Sequence, residues 1–505
     1  DCHDAETRKG GIDLEQLSSG STLADSKIQT LWLRAERVVR MGEMPPAKKK
    51  PLTAEQRALV QGWFRDNYIL RNGAEHIGAT PLRRLSRYEL INTLEDLLHV
   101  SLKRPYVFSP EFPALLDSTL ESVLPPDVPG ESGFFNDADQ LASGKLPVLR
   151  LTQAYDYALQ SFVQSAEARE RVFGFVNEPK ELSQARAGEI LQRFTLRAFR
   201  GYRNEANEQL VQQAYLAKRR ESPPVESLLH AMKTALVSPA FLFRMEQARD
   251  SEIPYAVSGE ELAVRLSYFL WGSMPDEELF RLAKRGELDD DEVLLGQVQR
   301  MLQSPKRIAL SENFAGQWLG FRDLWHNRAF YRNEAWNRGV YDELLFFFDE
   351  LVKSDRSVLE LIDSDWVYQS NYTGVSTPGK GHAFENRYDD ILAARRKRPP
   401  GIQERFYDPP RLLKVNSEQR GGVITTVGIM RLTSPPEKTN PIRRGVWMLD
   451  KIIGRKMHAP ENIPALSQSE TVNGKKLDDL VDILKAHTSK AVCVSCHKHI
   501  DPIGL

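Results

Sequence analysis

A short motif near the end of the chain requires a particular helical turn. Cys493 and Cys496 are separated by two residues, and His497 follows directly. Cys-x-x-Cys-His is the attachment sequence of a c-type haem, in which two thiols bind the porphyrin vinyl groups and the histidine binds the iron. We therefore predict haem c on Cys493 and Cys496, with His497 as the proximal iron ligand. A redox dithiol and half of a zinc site are the alternatives.

The start of the chain carries what remains of a second such motif. Asp1-Cys2-His3 is the sequence left when Cys-x-x-Cys-His is cut after its first cysteine. Either residues before Asp1 are missing, which we expect, or Cys2 holds a haem through a single thioether. In both cases Cys2 is a thioether residue and His3 is the proximal ligand of a second haem. All three cysteines fall in the two motifs, which leaves none for a disulfide.

A methionine–proline loop predicts the sixth ligand of the N-terminal haem. Met44 is followed by two prolines, which stiffen the loop, and by an amphipathic helix from Leu52 to about Tyr68. Small class I cytochromes c present a methionine sulphur from this position, and the thioether raises the potential of the iron. We predict Met44, rather than Met41, as the distal ligand. The alternative is a loop methionine packed on a core.

The sixth ligand of the C-terminal haem has several candidates in the sequence. His487 ends a predicted helix six residues before Cys493, which is enough chain to fold around the haem edge. We predict His487 as this ligand. It could instead cap its helix, or the ligand could lie beyond Leu505, where we expect the protein to continue. His499 is too close to the proximal histidine to cross the ring plane. Three further candidates lie upstream of the motif: Met430, Met457 and His458.

The spacing of apolar residues predicts a mainly α protein. No segment alternates with period two for long, and capping boxes at Ser86–Glu89 and Ser258–Glu261 mark helix starts. Further helices are expected at about 147–169, 180–200, 222–249, 290–303, 305–321, 336–355, 441–454 and 475–487. We predict a small class I cytochrome c domain, then a multi-domain helical scaffold and a C-terminal c-haem segment. The boundaries are 1–70 (cytochrome c-like, N-terminally truncated), 77–172 (helical, with a long irregular connection), 173–250 (helical), 251–370 (helical) and 371–505 (an irregular insertion and the truncated haem-binding domain).

Charge and hydropathy exclude several classes of function. The net charge is −1, so the chain as a whole does not attract nucleic acid or anionic lipid. No apolar run approaches the ~18 residues of a membrane span. There is no catalytic triad, phosphate-binding loop or His-Glu-x-x-His motif. Lys48-Lys49-Lys50, near Met44, is either a solvated loop or a docking site for an acidic redox partner.

A set of short motifs along the chain carries a family resemblance. Their order is 83–90 (Arg-Arg-Leu-Ser-Arg-Tyr-Glu-Leu), 124–127 (Leu-Pro-Pro-Asp), 133–136 (Gly-Phe-Phe-Asn), 197–200 (Arg-Ala-Phe-Arg), 237–242 (Val-Ser-Pro-Ala-Phe-Leu), 266–271 (Leu-Ser-Tyr-Phe-Leu-Trp), 314–319 (Phe-Ala-Gly-Gln-Trp-Leu), 440–445 (Asn-Pro-Ile-Arg-Arg-Gly) and 493–505. Together they resemble the planctomycete-type multidomain cytochrome c family, exported bacterial proteins with several domains of unknown function around c-type haem motifs. Nearly the whole chain is covered. The insertion at about 371–416 is longer and more basic than the family leads us to expect.

Three functions follow from these observations. The leading hypothesis is a periplasmic or otherwise extracytoplasmic dihaem cytochrome that carries electrons between redox partner proteins. The second is a haem-dependent oxidoreductase that binds peroxide, oxygen or an organic substrate at an open or labile sixth position. The third is a scaffold that binds a partner or a glycan and carries accessory haems. Coordination of the iron at His497 distinguishes the first two, because a six-coordinate low-spin iron favours electron transfer.

Overall fold

The structure is a computed structural model, and it is mainly α, as the sequence predicts. It describes residues 3, 6–7, 26–40, 42, 44–46, 49–71, 74–75, 82–102, 120–130, 132–143, 148–247, 249, 255–322, 324, 334–370, 410–415, 421–434, 439–455, 471–472, 475–476 and 491–504. The chain divides into two compact units. One comprises Asp1–Thr80 with Arg249–Ala256, and the other comprises Pro81–Ala248 with Val257–Leu505.

In its described residues, the first unit has two helices and a small hairpin. Its elements are Ser26–Arg40 (α1), Ala54–Phe64 (α2), a π-helical turn at Arg65–Ile69, and the antiparallel strands Leu70–Arg71 (β1) and Ala74–Glu75 (β2). Thr53 and Gln56 form a capping box that starts α2. The rings of Trp32 on α1 and Trp63 on α2 lie 4.5 Å apart, so the two helices pack through their indoles.

The described part of the second unit consists mainly of helices. Its α-helices are Arg87–Leu98 (α3), Leu120–Val123 (α4), Ala138–Ser143 (α5), Val148–Gln164 (α6), Ala166–Phe173 (α7), Gln184–Ala198 (α8), Glu205–Arg219 (α9), Pro224–Leu236 (α10), Pro239–Leu242 (α11), Gly259–Leu270 (α12), Glu277–Lys284 (α13), Asp291–Gln303 (α14), Ile308–Leu310 (α15), Gly316–Trp318 (α16), Glu334–Lys353 (α17), Glu360–Asp363 (α18), Val427–Leu432 (α19), Pro441–Trp447 (α20) and Ala491–Gly504 (α21). Tighter turns at Glu287–Asp289, Pro305–Arg307 and Val423–Thr425 and wider π-helical turns at Ser311–Ala315 and Met448–Ile452 connect some of them. Both predicted capping boxes, Ser86–Glu89 and Ser258–Glu261, are confirmed.

Apolar side chains form two large cores and a smaller one in the second unit. The first core collects the buried faces of the helices from α3 to α12, with Tyr155, Phe162 and Phe241 at its centre. The second lies around α17 and includes Trp366. The third, smaller core joins α12, α13 and α14 around Trp271. Burial of these side chains is the main force that assembles the helices.

Helix α17 is buried on every side over residues 337–351, yet it carries several charges. Asp349 pairs with Arg307 at 3.0 Å, with both side chains fully buried. Asp342 pairs with Arg338 at 2.5 Å. Burial raises the pKa of Asp342 to about 6, although the positive charge of Arg338 acts in the opposite direction. Two further carboxylates of this helix accept hydrogen bonds from the Ser370 amide and the Ser354 hydroxyl: Glu343 and Glu350.

Short strands occur where the sequence predicts irregular structure or helix. Trp366–Gln369 (β3) pairs antiparallel with Arg411–Lys414 (β4), which lies inside the predicted irregular insertion at 371–416. Thr471–Val472 (β5) pairs with Lys475–Lys476 (β6), so the helix predicted from 475 does not begin there. The rest of that predicted helix, including His487, and residues 371–409 lie outside the described residues.

Candidate functional site

The C-terminal motif lies on helix α21, near its start. Cys493, Cys496 and His497 are three and four positions apart along the helix, and such positions share one face. This is the arrangement that Cys-x-x-Cys-His needs in order to hold a porphyrin and its iron together. The structure describes the side chain of His497, while for the two cysteines it describes the backbone alone.

Two glycines bring α21 into unusually close contact with α20. A Cβ placed on Gly445 would overlap the carbonyl oxygen of Ile500 and lie 2.8 Å from its Cγ2. A Cβ placed on Gly504 would overlap the carbonyl oxygen of Pro441 and lie 3.0 Å from the Gly445 amide nitrogen. The two backbones therefore pack directly against each other, and a side chain at either glycine would separate them.

Contacts at both ends of helix α20 fix its position. The Asn440 side chain accepts a hydrogen bond from the Arg443 amide at 3.0 Å, and Pro441 occupies the first helical position. The Trp447 indole donates to the Leu319 carbonyl at 2.9 Å, and the Trp318 indole donates to the Lys451 carbonyl at 2.7 Å. Motif segment 314–319 therefore meets the end of α20 and the turn that follows it, and through α20 helix α21 is fixed to the second core.

A carboxylate one helical turn beyond the motif contacts the histidine. Asp501 Oδ1 lies 2.9 Å from His497 Nδ1, and the two side chains are 17% and 12% exposed. An imidazole whose Nδ1 is held in this way presents Nε2 to a metal, as second-shell partners of metal-bound histidines do. This donor set, two cysteine positions and an oriented imidazole on one helical face, fits a c-type haem.

Among the upstream candidates for the sixth ligand of this haem, Met430 lies within the described residues. It lies on α19, and its sulphur accepts a hydrogen bond from Arg444 Nη1 at 3.3 Å. Burial lowers the pKa of Arg444. His499 follows the proximal histidine on α21, and its pKa is lowered by burial and by the positive charges of Arg455 and Lys498. Met457, His458 and the predicted ligand His487 lie outside the described residues.

The N-terminal candidate site is described at two of its residues. His3 is partly buried, and its Nδ1 has no hydrogen-bond partner in the part of the chain that the structure describes. The Met44 amide donates to the Val38 carbonyl at 3.1 Å, which turns the loop back onto α1, and the side chain is 38% exposed. Cys2 and Met41 lie outside the described residues.

The motifs of the first half converge on one buried polar cluster. Arg83 binds Glu89 through two hydrogen bonds of 2.7 Å each, and the positive charge of Arg83 lowers the pKa of Glu89 against the effect of burial. Arg84 binds Asp127 at 2.8 Å. Arg200 donates to the carbonyl of Phe243 at 2.6 Å, and its guanidinium also lies 5.8 Å from the Tyr268 ring centre. Arg84 also pairs through its backbone with Phe243, so these contacts together join segments 83–90, 124–127, 197–200 and 266–271.

Three contacts link motifs of the first half to the half that carries the haem motif. The Phe135 amide donates to Gln317 Oε1 at 2.6 Å, and the rings of Phe134 and Phe314 stack at 5.9 Å. The Tyr88 hydroxyl donates to Glu312 at 2.6 Å. The motifs of the first half are therefore connected by direct contacts to residues 312–317, which directly precede the residues that contact α20.

Sequence reasoning missed two parts of the C-terminal site. Asp501 stands four residues after His497, the spacing of facing side chains on a helix, so its contact could have been inferred. The paired glycines could not, because Gly445 and Gly504 are 59 residues apart in the sequence and meet only through tertiary packing.

Two stretches of the chain match protein families. Residues 257–373 match the family described as PSD4, protein of unknown function (DUF1592), and residues 420–505 match PSCyt3, protein of unknown function (DUF1588). Neither match reaches half of the chain. No curated protein and no solved structure matches it. Within the described residues, no helix has both the length and the apolar character that crossing a membrane requires.

Proposed function

We propose that this chain is an extracytoplasmic dihaem c-type cytochrome that transfers electrons between redox partner proteins. The observation that carries the proposal is the C-terminal helix, on which Cys493, Cys496 and His497 share one face and Asp501 orients the imidazole. A fixed helix with an oriented ligand suits electron transfer, because the geometry around the iron then changes little when its oxidation state changes.

The residues of the chain have separate tasks in this proposal. Cys493 and Cys496 would hold the C-terminal haem, and His497 and His487 would bind its iron. Cys2 would hold the N-terminal haem, and His3 and Met44 would bind its iron. When bound, each haem supplies reversible one-electron exchange between ferric and ferrous iron.

The family matches support the proposal that the chain is a cytochrome. The name PSCyt3, printed for the family that matches residues 420–505, points to a cytochrome, and that range contains the whole C-terminal motif. We place the chain with the planctomycete-type cytochrome c proteins. Covalent attachment of haem c takes place outside the bacterial cytoplasm, so the proposal includes a periplasmic or other exported location.

The first prediction is that the chain carries two covalently bound haems. Intact mass and a pyridine haemochrome assay on the full chain should both give two per polypeptide. The Cys493→Ala/Cys496→Ala variant should carry one haem fewer, because its thioethers cannot form, and Cys2→Ala should lose the other. A mass equal to that of the bare polypeptide would overturn the proposal.

The second prediction concerns the axial sulphur of the N-terminal haem. Met44→Ala should abolish the weak near-infrared charge-transfer band of ferric haem bound by methionine, since this band needs an iron–sulphur bond. Met41→Ala is the matched control and should leave the band in place. Loss of the band in the control and its survival in Met44→Ala would show that Met41 is the ligand.

A haem-dependent oxidoreductase is the second candidate, and one observation favours it. A carboxylate bound to the proximal imidazole makes that ligand a stronger electron donor, which suits a haem that activates peroxide or oxygen. Electron paramagnetic resonance of the ferric chain separates the two candidates. A low-spin signal from both haems supports electron transfer, and a high-spin signal from the C-terminal haem supports the enzyme.

A further inference from the structure

The contact between Asp501 and His497 has the features of a built second shell. The distance from Oδ1 to Nδ1 is 2.9 Å, and both side chains are more than four-fifths covered. The contact runs within one helix, between positions four apart. A hydrogen bond from an imidazole N–H to a carboxylate in such a covered place is shorter and stronger than one between neutral groups.

The rest of the helix holds this pair in place. Ile500, directly before Asp501, is buried against Gly445 of α20, and Gly504 closes the same helix onto Pro441. Pro502, directly after Asp501, has its own backbone dihedral φ fixed by its ring. The backbone of α21 that carries Asp501 is therefore held in place by packing against α20.

We propose that Asp501 is a positioning residue that holds His497 with Nε2 toward the iron and lowers the reduction potential of the C-terminal haem. The inference rests on the proposed function. A carboxylate that accepts the Nδ1 proton shifts electron density into the imidazole and makes it a stronger donor to the metal. A stronger donor stabilises ferric iron more than ferrous iron, so the potential falls.

Asp501 and Met44 together set which of the two haems has the lower reduction potential. A methionine sulphur raises the potential of the haem that it binds, so Met44 and Asp501 act in opposite directions on the two sites. The C-terminal haem is then the stronger reductant of the pair.

The test is a spectroelectrochemical titration of the full haem-loaded chain and its Asp501→Asn variant. The amide keeps the size of the side chain but removes its charge. We expect the ferric/ferrous equilibrium of the C-terminal haem to shift at least tenfold toward ferrous, which is 59 mV for one electron. Asp501→Glu should restore most of the difference. The Cys493→Ala/Cys496→Ala variant identifies which of the two waves belongs to this haem.

A control for charge alone is available in the same unit. Asp450→Asn also removes one carboxylate, from a side chain that pairs with Lys451 at 3.1 Å, and should leave the potential unchanged. An unchanged potential in Asp501→Asn, or an equal shift in Asp450→Asn, would overturn the inference while the proposed function stands. Absence of haem from the peptide that contains Cys493 and Cys496 in the unaltered chain would overturn the proposed function itself.

A second measurement avoids dependence on folding of the variant. Electron paramagnetic resonance of the unaltered ferric chain reports the donor strength of the axial imidazole through its g-values. Values typical of an imidazolate-like ligand support the role of Asp501. Values typical of neutral imidazole contradict it.

Discussion

Asp349→Asn should lower the free energy of unfolding of the second unit by about 3–5 kcal/mol, the usual cost of removing one partner from a buried ion pair. Asp349 and Arg307 are both fully buried, and their side chains meet at 3.0 Å. The amide would remove the carboxylate charge that Arg307 faces in the core, while the guanidinium stays buried. Urea unfolding followed by far-ultraviolet circular dichroism measures the effect.

Two further variants make this result specific. Asp156→Asn is the same chemical change at an exposed pair, Lys233–Asp156, in which the side chains are 32% and 59% exposed. It should cost less than about 1 kcal/mol, because water already screens the charges. Arg307→Met combined with Asp349→Leu removes both charges and should recover most of the loss. Equal midpoints for Asp349→Asn and Asp156→Asn would show that the buried pair contributes little.

Gly445→Ala should separate helix α21 from helix α20. Its new Cβ would overlap the carbonyl oxygen of Ile500, and a backbone atom cannot turn aside as a side chain can. We expect a loss of about 3 kcal/mol, the upper end of the usual cost of overpacking. Covalent attachment needs only the Cys-x-x-Cys-His sequence, so the intact mass should still include the haem. Its optical spectrum should change, because His497 no longer sits in a fixed helix.

The matched control is the same substitution in an open position. Gly296 lies on the exposed face of α14, and a Cβ there meets nothing within 4 Å. Gly296→Ala should stabilise the protein by about 0.5–1 kcal/mol, because glycine is a poor helix former. If Gly445→Ala left both the urea midpoint and the haem spectrum unchanged, the close approach of the two helices would not matter for the site.

Local signals in the sequence predicted the helices well. Ser86–Glu89 and Ser258–Glu261 started helices as expected, because a capping box satisfies the first amides within four residues of sequence. The segment 305–321 was predicted as one helix. The structure divides it into Pro305–Arg307, α15, a π-helical turn and α16. Such changes of winding depend on what the side chains pack against, and periodicity alone does not contain that information.

Contacts between distant parts of the chain were the part that sequence reasoning could not supply. Strands β3 and β4 are four residues each, too short for alternation to be recognised, and they pair across a long stretch of sequence. The ion pair of Arg307 and Asp349 likewise joins two elements whose contact no local sequence pattern predicts. For the candidate site, chemistry identified the residue types and spacing on α21. The thioether assignments of Cys2, Cys493 and Cys496 and the ligand assignments of His3, Met44, His487 and His497 stay predictions.

The β3–β4 ladder has a consequence for how this fold can vary in evolution. Its register, from Trp366 opposite Lys414 to Gln369 opposite Arg411, holds the two ends of the intervening sequence side by side. Once the ends of a loop are joined, its length enters the free energy only through a logarithm. Even in the limit of a structureless chain, each doubling adds about 0.6 kcal/mol. Insertions and deletions between Gln369 and Arg411 should therefore accumulate among related proteins while the core around α17 stays the same.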